Sequence, residues 1–310
     1  MRPLPSSRAQ AAVFRPKCYR CNQVEICLIA DSFEVTAHPV IGAALRDLRS
    51  RHAVRLLDVS GLSSERAVNC GRGHPLADIY LLKSHAAQAL ELARDLEQRG
   101  ACVVNSFASS AACQDRALMA QRMREARLAF PCTWVLSSLA EFLQHPDRLS
   151  AAGFPVLVKS RYSRRGDVVE KVDGIEQLCA VAHRTGEPVV MQEFVRSDGW
   201  DAKLWVIDRE IFAARRRSSL AGGAPRENCD VPISDFPGSW RSMTLEVGRA
   251  FGLRLYGVDF VVSDEGPVIV DVNSFPGFRG AAGAAAALVC LIERMLEYRE
   301  VTGERARDAR

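Results

Sequence analysis

Over the first hundred residues, short apolar runs alternate with amphipathic stretches. Glu25–Ala30, Val54–Asp58, Ile79–Leu82 and Cys102–Val104 each read as a short buried strand. Between them, segments 40–51 and 86–98 carry apolar residues at helical spacing, and Gly100 closes the second. Strands alternating with helices predict a parallel sheet covered on both faces, an open α/β domain. No Gly-x-Gly-x-x-Gly follows the first strand, so a dinucleotide fingerprint is absent. Residues 1–23 carry Pro, Arg and Ser without a period and read as a tail. The Cys18-x-x-Cys21 pair within it lacks the second pair of a zinc ribbon and reads as free thiols.

Past residue 110 the pattern changes. Segment 113–129 reads as one basic amphipathic helix stopped by Phe130-Pro131, and 139–143 as a short helix. Beyond Phe154 the texture is that of antiparallel strands, at 155–159, 167–172, 189–194, 202–207 and 211–215. Clustered Gly, Pro and Asn predict a long loop over 220–240. A helix over 240–251, a hairpin over 255–273 and a helix over 283–299 complete the chain, with 301–310 as a second tail.

Composition narrows the class. The chain has 310 residues, 48% hydrophobic and 25% charged, which is ordinary for a soluble globular protein. Its most apolar stretch, 281–291, is about half the length that spans a bilayer. The basic N-terminus lacks the apolar core of a signal peptide, so the expected compartment is the cytoplasm and the ten cysteines are expected to be reduced. A net charge of +4 is too small to call for nucleic acid, and the arginines are spread with no aromatic stacking platform. Of the 41 basic residues only five are lysines: Lys17, Lys83, Lys159, Lys171 and Lys203. In so arginine-biased a chain, a retained lysine points weakly to a site that needs a compact ammonium.

Four segments carry candidate chemistry. In the hairpin, two β-branched runs flank Asp264-Glu265-Gly266. A turn centred on Glu265 sets Asp259 opposite Asp271 with Asn273 on the same face. Opposed carboxylates repel, and a bound magnesium resolves the repulsion; a solvated edge hairpin is the bland alternative. Lys159 ends a buried strand ahead of the polar loop 160–167, where Ser163, Gly166 and backbone amides suit a nucleotide's phosphates as well as solvent. Gln192 and Glu193 end another strand and can serve an adenosine or simply finish the strand. Asp201-Ala202-Lys203 leads to Arg215-Arg216-Arg217, a run that invites anions or lies solvated.

In this order, the four segments resemble the ATP-grasp superfamily, closest to the RimK-type ligases and related to the inositol trisphosphate kinases. The resemblance covers about residues 101–295. It implies an ATP-grasp fold over 108–300, with a lid near 130–196, a C-terminal subdomain near 197–300 and a pre-ATP-grasp α/β domain over 24–107. Gln114-Asp115-Arg116 matches the start of the family's Asp-Lys helix, with Arg116 in place of lysine. Lys159, Ser163 and Gly166 match the nucleotide lysine and phosphate-covering loop; Gln192, Glu193 and Val195 match the adenine hinge. Lys203 and Arg216 or Arg217 match the groups facing the transferred phosphoryl, Asp259, Asp271 and Asn273 the magnesium triad, and 274–280 the substrate-side turn. The implied cofactors are ATP and magnesium, as one or two ions, with manganese able to substitute. The implied activity is a carboxylate–amine ligase that forms an amide or peptide bond, between molecules or within one, through an acylphosphate on a small amino-acid-like substrate, without nucleic acid or membrane, and with a homo-oligomer left open. The alternative is an ATP-dependent kinase of an inositol phosphate or similar polyol phosphate. Lys203 with its following Leu-Trp-Val-Ile and the Asp271–Phe278 segment favour that alternative.

Overall fold

The computed structural model describes residues 24–145, 153–164, 166–197, 199–218 and 228–302. The first tail with Cys18 and Cys21, residues 303–310 of the second, and Arg165 lie outside them, as does 220–227 of the expected 220–240 loop; residues 301 and 302, expected as tail, continue the last helix.

Among the described residues the chain builds three sheets. The first joins β1 (Glu25–Ala30), β2 (Ala53–Asp58), β3 (Ile79–Lys83) and β4 (Val103–Val104) in the order β2-β1-β3-β4. All of its pairings are parallel, as the alternation predicted. α1 (Pro39–Arg49) covers one face, and α2 (Ser64–Arg72) and α3 (Ala87–Gln98) pack together on the other. The sequence pattern hides α2, because its only buried residues are Ala67 and Gly71.

The single helix expected over 113–129 is instead two, α4 (Phe107–Gln114) and α5 (Arg116–Glu125). Asp115 breaks it. Its backbone is extended and its carboxylate accepts the Ala117 N–H at 2.9 Å, so it caps α5. The apolar period runs on across the break because Cys113, Met119 and Met123 fill one cluster, which is why periodicity alone misses it.

The second sheet is antiparallel in the order β5-β8-β6-β7, from β5 (Thr133–Leu136), β6 (Val156–Ser160), β7 (Val169–Val172) and β8 (Val189–Glu193). α6 (Leu139–Phe142) and α7 (Ile175–Arg184) pack against its outer face through Leu139, Phe142, Leu178 and Val181. The third sheet is also antiparallel, in the order β11-β10-β9-β12-β13. It joins β9 (Trp200–Ile207), β10 (Glu210–Arg217), β11 (Asn228–Asp230), β12 (Leu255–Ser263) and β13 (Gly266–Asn273). β11 and a 3-10 turn at Ile233–Asp235 thus interrupt the segment expected to be loop, and α8 (Gly238–Phe251) follows. α8, α4 and α5 cover one face of the third sheet around Leu204, Val258, Phe260 and Val272. On the opposite face Trp205, Ile207 and Leu255 share a core with Ile26 and Leu28 of β1 and with α9 (Ala284–Thr302). The first sheet and the third are therefore one packed body, over which the second sheet stands.

Candidate active site

Strand alternation creates a cleft of about 400 Å³ between the second and third sheets. On β6, Val156 and Val158 enter the lid core while Leu157 and Lys159 face the cleft. On the third sheet, Ala202, Phe260, Ile269 and Val272 enter the core while Asp201, Arg216, Asp259 and Asp271 face the cleft. Glu193, Phe194 and Val195 close one end, and Arg116 at the start of α5 closes the other wall.

The register of the hairpin decides what the cleft floor contains. Ser263 pairs with Gly266, so the turn is the two residues Asp264-Glu265, not a turn centred on Glu265. Continued regularly, that register would set Asp259 against Val270 and send Asp271 to the other face. A β-bulge between Asp259 and Phe260 absorbs Val270 as an extra residue, and Asp259 pairs with Asp271 as expected. The expected pairing holds, by a different route. Lys203 sits beside Asp259 on β9, and its Nζ donates to both carboxylate oxygens at 2.6 and 2.5 Å. Arg216 donates to the same carboxylate at 3.4 Å and lies 3.6 Å from Asp201.

Burial tunes these groups. Lys159 is only 7% exposed, and desolvation pulls its pKa down to about 8 against the opposing pull of Asp271. Burial likewise raises the pKa of Asp271; the positive charge of Arg116 opposes it and the negative charge of Asp259 adds to it. Asp201 is raised by burial and held back by a hydrogen bond from Ser218. Arg116 NH1 donates to the Ser160 carbonyl at 2.6 Å and its NH2 reaches Asp167 at 2.7 Å. Arg116 Nε, Gln192 Oε1 and Arg216 Nε, all in cleft-lining residues, are buried without a hydrogen-bond partner among the described residues. Such atoms are costly unless a ligand engages them. The cleft therefore fits a polyanion with a polar base: cations on both walls, open donors and acceptors, and two carboxylates for a cation. Among the described residues no three His, Cys, Asp or Glu gather to hold a metal alone, so phosphate oxygens would have to complete its shell.

Of the residues expected from sequence, the structure brings Arg116, Lys159, Gln192, Glu193, Val195, Arg216, Asp259 and Asp271 to one cleft. Lys203 joins them through Asp259. Asn273 follows Asp271 on the same face, opposite Gly257, and its Oδ1 accepts the Phe275 N–H at 2.9 Å. Ser163 and Gly166 do not line the cleft; the Ser163 N–H donates to the Gln114 carbonyl at 2.8 Å, and Gly166 takes φ +79°. Arg217 points to the opposite face from Arg216 and lies over the Trp200 ring at 4.7 Å. Sequence reasoning missed Phe194, Arg196, Ser197 and Val270 as cleft residues. No sequence signal marks Val270, because nothing in its residue type announces a bulge.

Two antiparallel sheets thus clamp a cleft whose lining suits phosphates. A family profile described as the RimK-like ATP-grasp domain matches residues 114–289, and the chain belongs to that family. A probable alpha-L-glutamate ligase of Shewanella amazonensis is 25% identical over 223 residues, 65% of this chain and 70% of that protein. The RimK-domain ATP-grasp protein of Sphaerobacter thermophilus superposes with a TM-score of 0.64 at 21% identity, covering 86% of this chain and 99% of that one. D-alanine–D-alanine ligase of Bacillus anthracis, in complex with ATP, superposes with a TM-score of 0.69 at 16% identity over 92% and 99%. The protein is an ATP-grasp ligase that forms C–N bonds, with the ATP-grasp fold expected from sequence. Among the described residues no helix is long and apolar enough to cross a membrane.

Proposed function

We propose that the protein joins the carboxylate of one small amino-acid-like molecule to the amine of another through an acylphosphate, at the expense of ATP. The observation that supports this best is the opposed pair Asp259–Asp271 with Lys203 beside it, facing Lys159 and Arg116 across the cleft. Glu193, Phe194 and Val195 hold the adenine, and Gln192 offers Oε1 while its amide donates to Thr133. Lys159, Arg116 and Arg216 orient the phosphates. Asp259, Asp271 and Asn273 would hold magnesium, which when bound neutralises charge developing on the transferred phosphoryl group. A substrate carboxylate oxygen attacks the γ-phosphorus and ADP departs. The amine then attacks the acyl carbon, phosphate departs with the carboxyl oxygen, and the amine's proton passes to solvent. Arg216 rather than Arg217 faces the reacting phosphoryl, because only Arg216 is on the cleft face. The protein's own part is orientation and electrostatics, so no cysteine is needed as a nucleophile. On this reading the three sheets are the pre-ATP-grasp domain, the lid and the C-terminal subdomain.

The test is ATP turnover on L-glutamate and on pooled amino acids, with hydroxylamine present. Phosphate release with hydroxamate formation is the expected result. ADP without free phosphate, alongside a phosphorylated polyol from a parallel inositol phosphate pool, would overturn it in favour of a kinase.

A further inference from the structure

The second sheet carries a short polar relay behind the wall of the cleft. Thr133 of β5 and Gln192 of β8 are register partners in an antiparallel pair. Met191 enters the lid core, so strand alternation turns Gln192 to the cleft beside Leu157, its partner on β6. Gln192 is only 1% exposed. A buried amide that continues the run Val189-Val190-Met191 needs a reason, because polar groups are costly there unless they are paired.

Two hydrogen bonds fix which way that amide points. The Thr133 hydroxyl donates to the Pro131 carbonyl at 2.9 Å. A hydroxyl has one proton, so toward Gln192 the same oxygen can only accept. Gln192 Nε2 supplies the donor at 2.8 Å, and Oε1 is thereby turned away from Thr133. Turned end for end, the amide would set Oε1 against an oxygen whose proton is already engaged. The backbone holds the two strands in step, since the Glu193 N–H donates to the Cys132 carbonyl at 3.0 Å. Oε1 is buried and, among the described residues, has no hydrogen-bond partner. The wall beside Glu193, Phe194 and Val195 therefore presents a fixed, open acceptor. Adenine carries an amino donor at position 6, where guanine and hypoxanthine carry an oxo acceptor. Against Oε1 the amino group is paired, whereas the oxo group leaves two acceptors opposed and stripped of water.

We infer that Thr133, which is not itself among the cleft-lining residues, sets the base preference of the cleft. It is a positioning residue that acts only through Gln192. By fixing the amide with Oε1 toward the base, it makes the cleft accept a 6-amino purine and refuse a 6-oxo purine. That a nucleotide base lies against Gln192 rests on the function proposed above, while the orientation of the amide rests on the hydrogen bonds alone.

The test is titration calorimetry of the full chain, with magnesium, against the β,γ-imido analogues of ATP and of inosine triphosphate, whose base differs in its 6-oxo edge. An unpaired buried acceptor costs about tenfold to a hundredfold in affinity, so the unaltered protein is expected to bind the ATP analogue about a hundredfold tighter. In Thr133→Val neither end of the amide has a partner at position 133, and the base selects the orientation. The preference is then expected to fall about tenfold or more, chiefly through tighter binding of the inosine analogue. Thr133→Ser keeps the hydroxyl and is expected to keep the full preference. A role in folding alone would weaken both analogues alike, so an unchanged ratio in Thr133→Val overturns the inference. Equal binding of the two analogues by the unaltered protein overturns it without any variant, and leaves the nucleotide assignment in place. Binding of neither analogue removes that assignment and this inference with it.

Discussion

Lys159 is a positive charge held where burial opposes it. Its folded pKa, about 8, lies below the roughly 10.4 of an unfolded lysine. Below pH 8 both states are protonated and the folded state carries the full desolvation cost. Between about 8 and 10.4 the unfolded state binds more protons, so this group's contribution to stability rises with pH across that window. Nucleotide affinity moves the other way, because the neutral amine no longer attracts phosphate. Lys159→Met is therefore expected to raise the melting temperature of the nucleotide-free protein while weakening ATP binding, and to abolish the loss of ATP affinity above pH 8. Calorimetry with ATP titrations at pH 7 and 9 checks both limbs. Asp271→Asn keeps the shape and removes the charge opposite Asp259. It should lower kcat by about a hundredfold or more with an unchanged circular dichroism spectrum, and full activity would remove the metal assignment.

At the scale of elements, the phosphate-side loop is held by the α4–α5 break. The Arg116 N–H donates to the Arg161 carbonyl at 2.9 Å, and Arg161 grips the Asp115 carboxylate with Nε and NH2. Asp115→Ala removes a helix cap and this grip together. The expected loss is about 1–3 kcal/mol, seen as a melting temperature lower by several degrees, with a raised KM for ATP. The family likeness of Gln114-Asp115-Arg116 located this helix start correctly where apolar periodicity did not. Strands with β-branched runs were legible because their alternation is strict. α2 was not, since small residues make its buried stripe, and α7 was passed over inside a stretch that otherwise reads as strand. Which arginine of the 215–217 run faces the cleft was also illegible, because it depends on the pairing of β10 with β9.

Across the whole molecule, Asn105 fastens the first sheet to the third. Its amide donates to the Leu255 carbonyl at 2.7 Å and to the Ser274 carbonyl, and its Oδ1 accepts the Arg254 N–H at 2.8 Å. Asn105, Leu255 and Ser274 are buried while Arg254 is exposed, and they lie where β12 begins and β13 ends. Asn105→Ala leaves several backbone groups unpaired, and about 2–4 kcal/mol of stability should go with them. With the turn after Asn273 loosened, the KM for the amino-acid substrate is expected to rise more than the KM for ATP. The family likeness includes Val104-Asn105-Ser106, but the fastening role of Asn105 was illegible, since its partners are 149 to 169 positions away in the chain.

The extra residue at Val270 gives the hairpin one unit of slack. Removing it would leave Phe260 against Ile269 and Asp259 against Asp271 in an unbroken ladder, with each side chain still on its present face. Deleting Val270 is therefore expected to cost less activity than the single-atom change Asp271→Asn, which a side-by-side kcat measurement checks. Turn length and catalytic pairing are uncoupled in this hairpin. A tip one residue longer would set the same two aspartates face to face with no bulge at all.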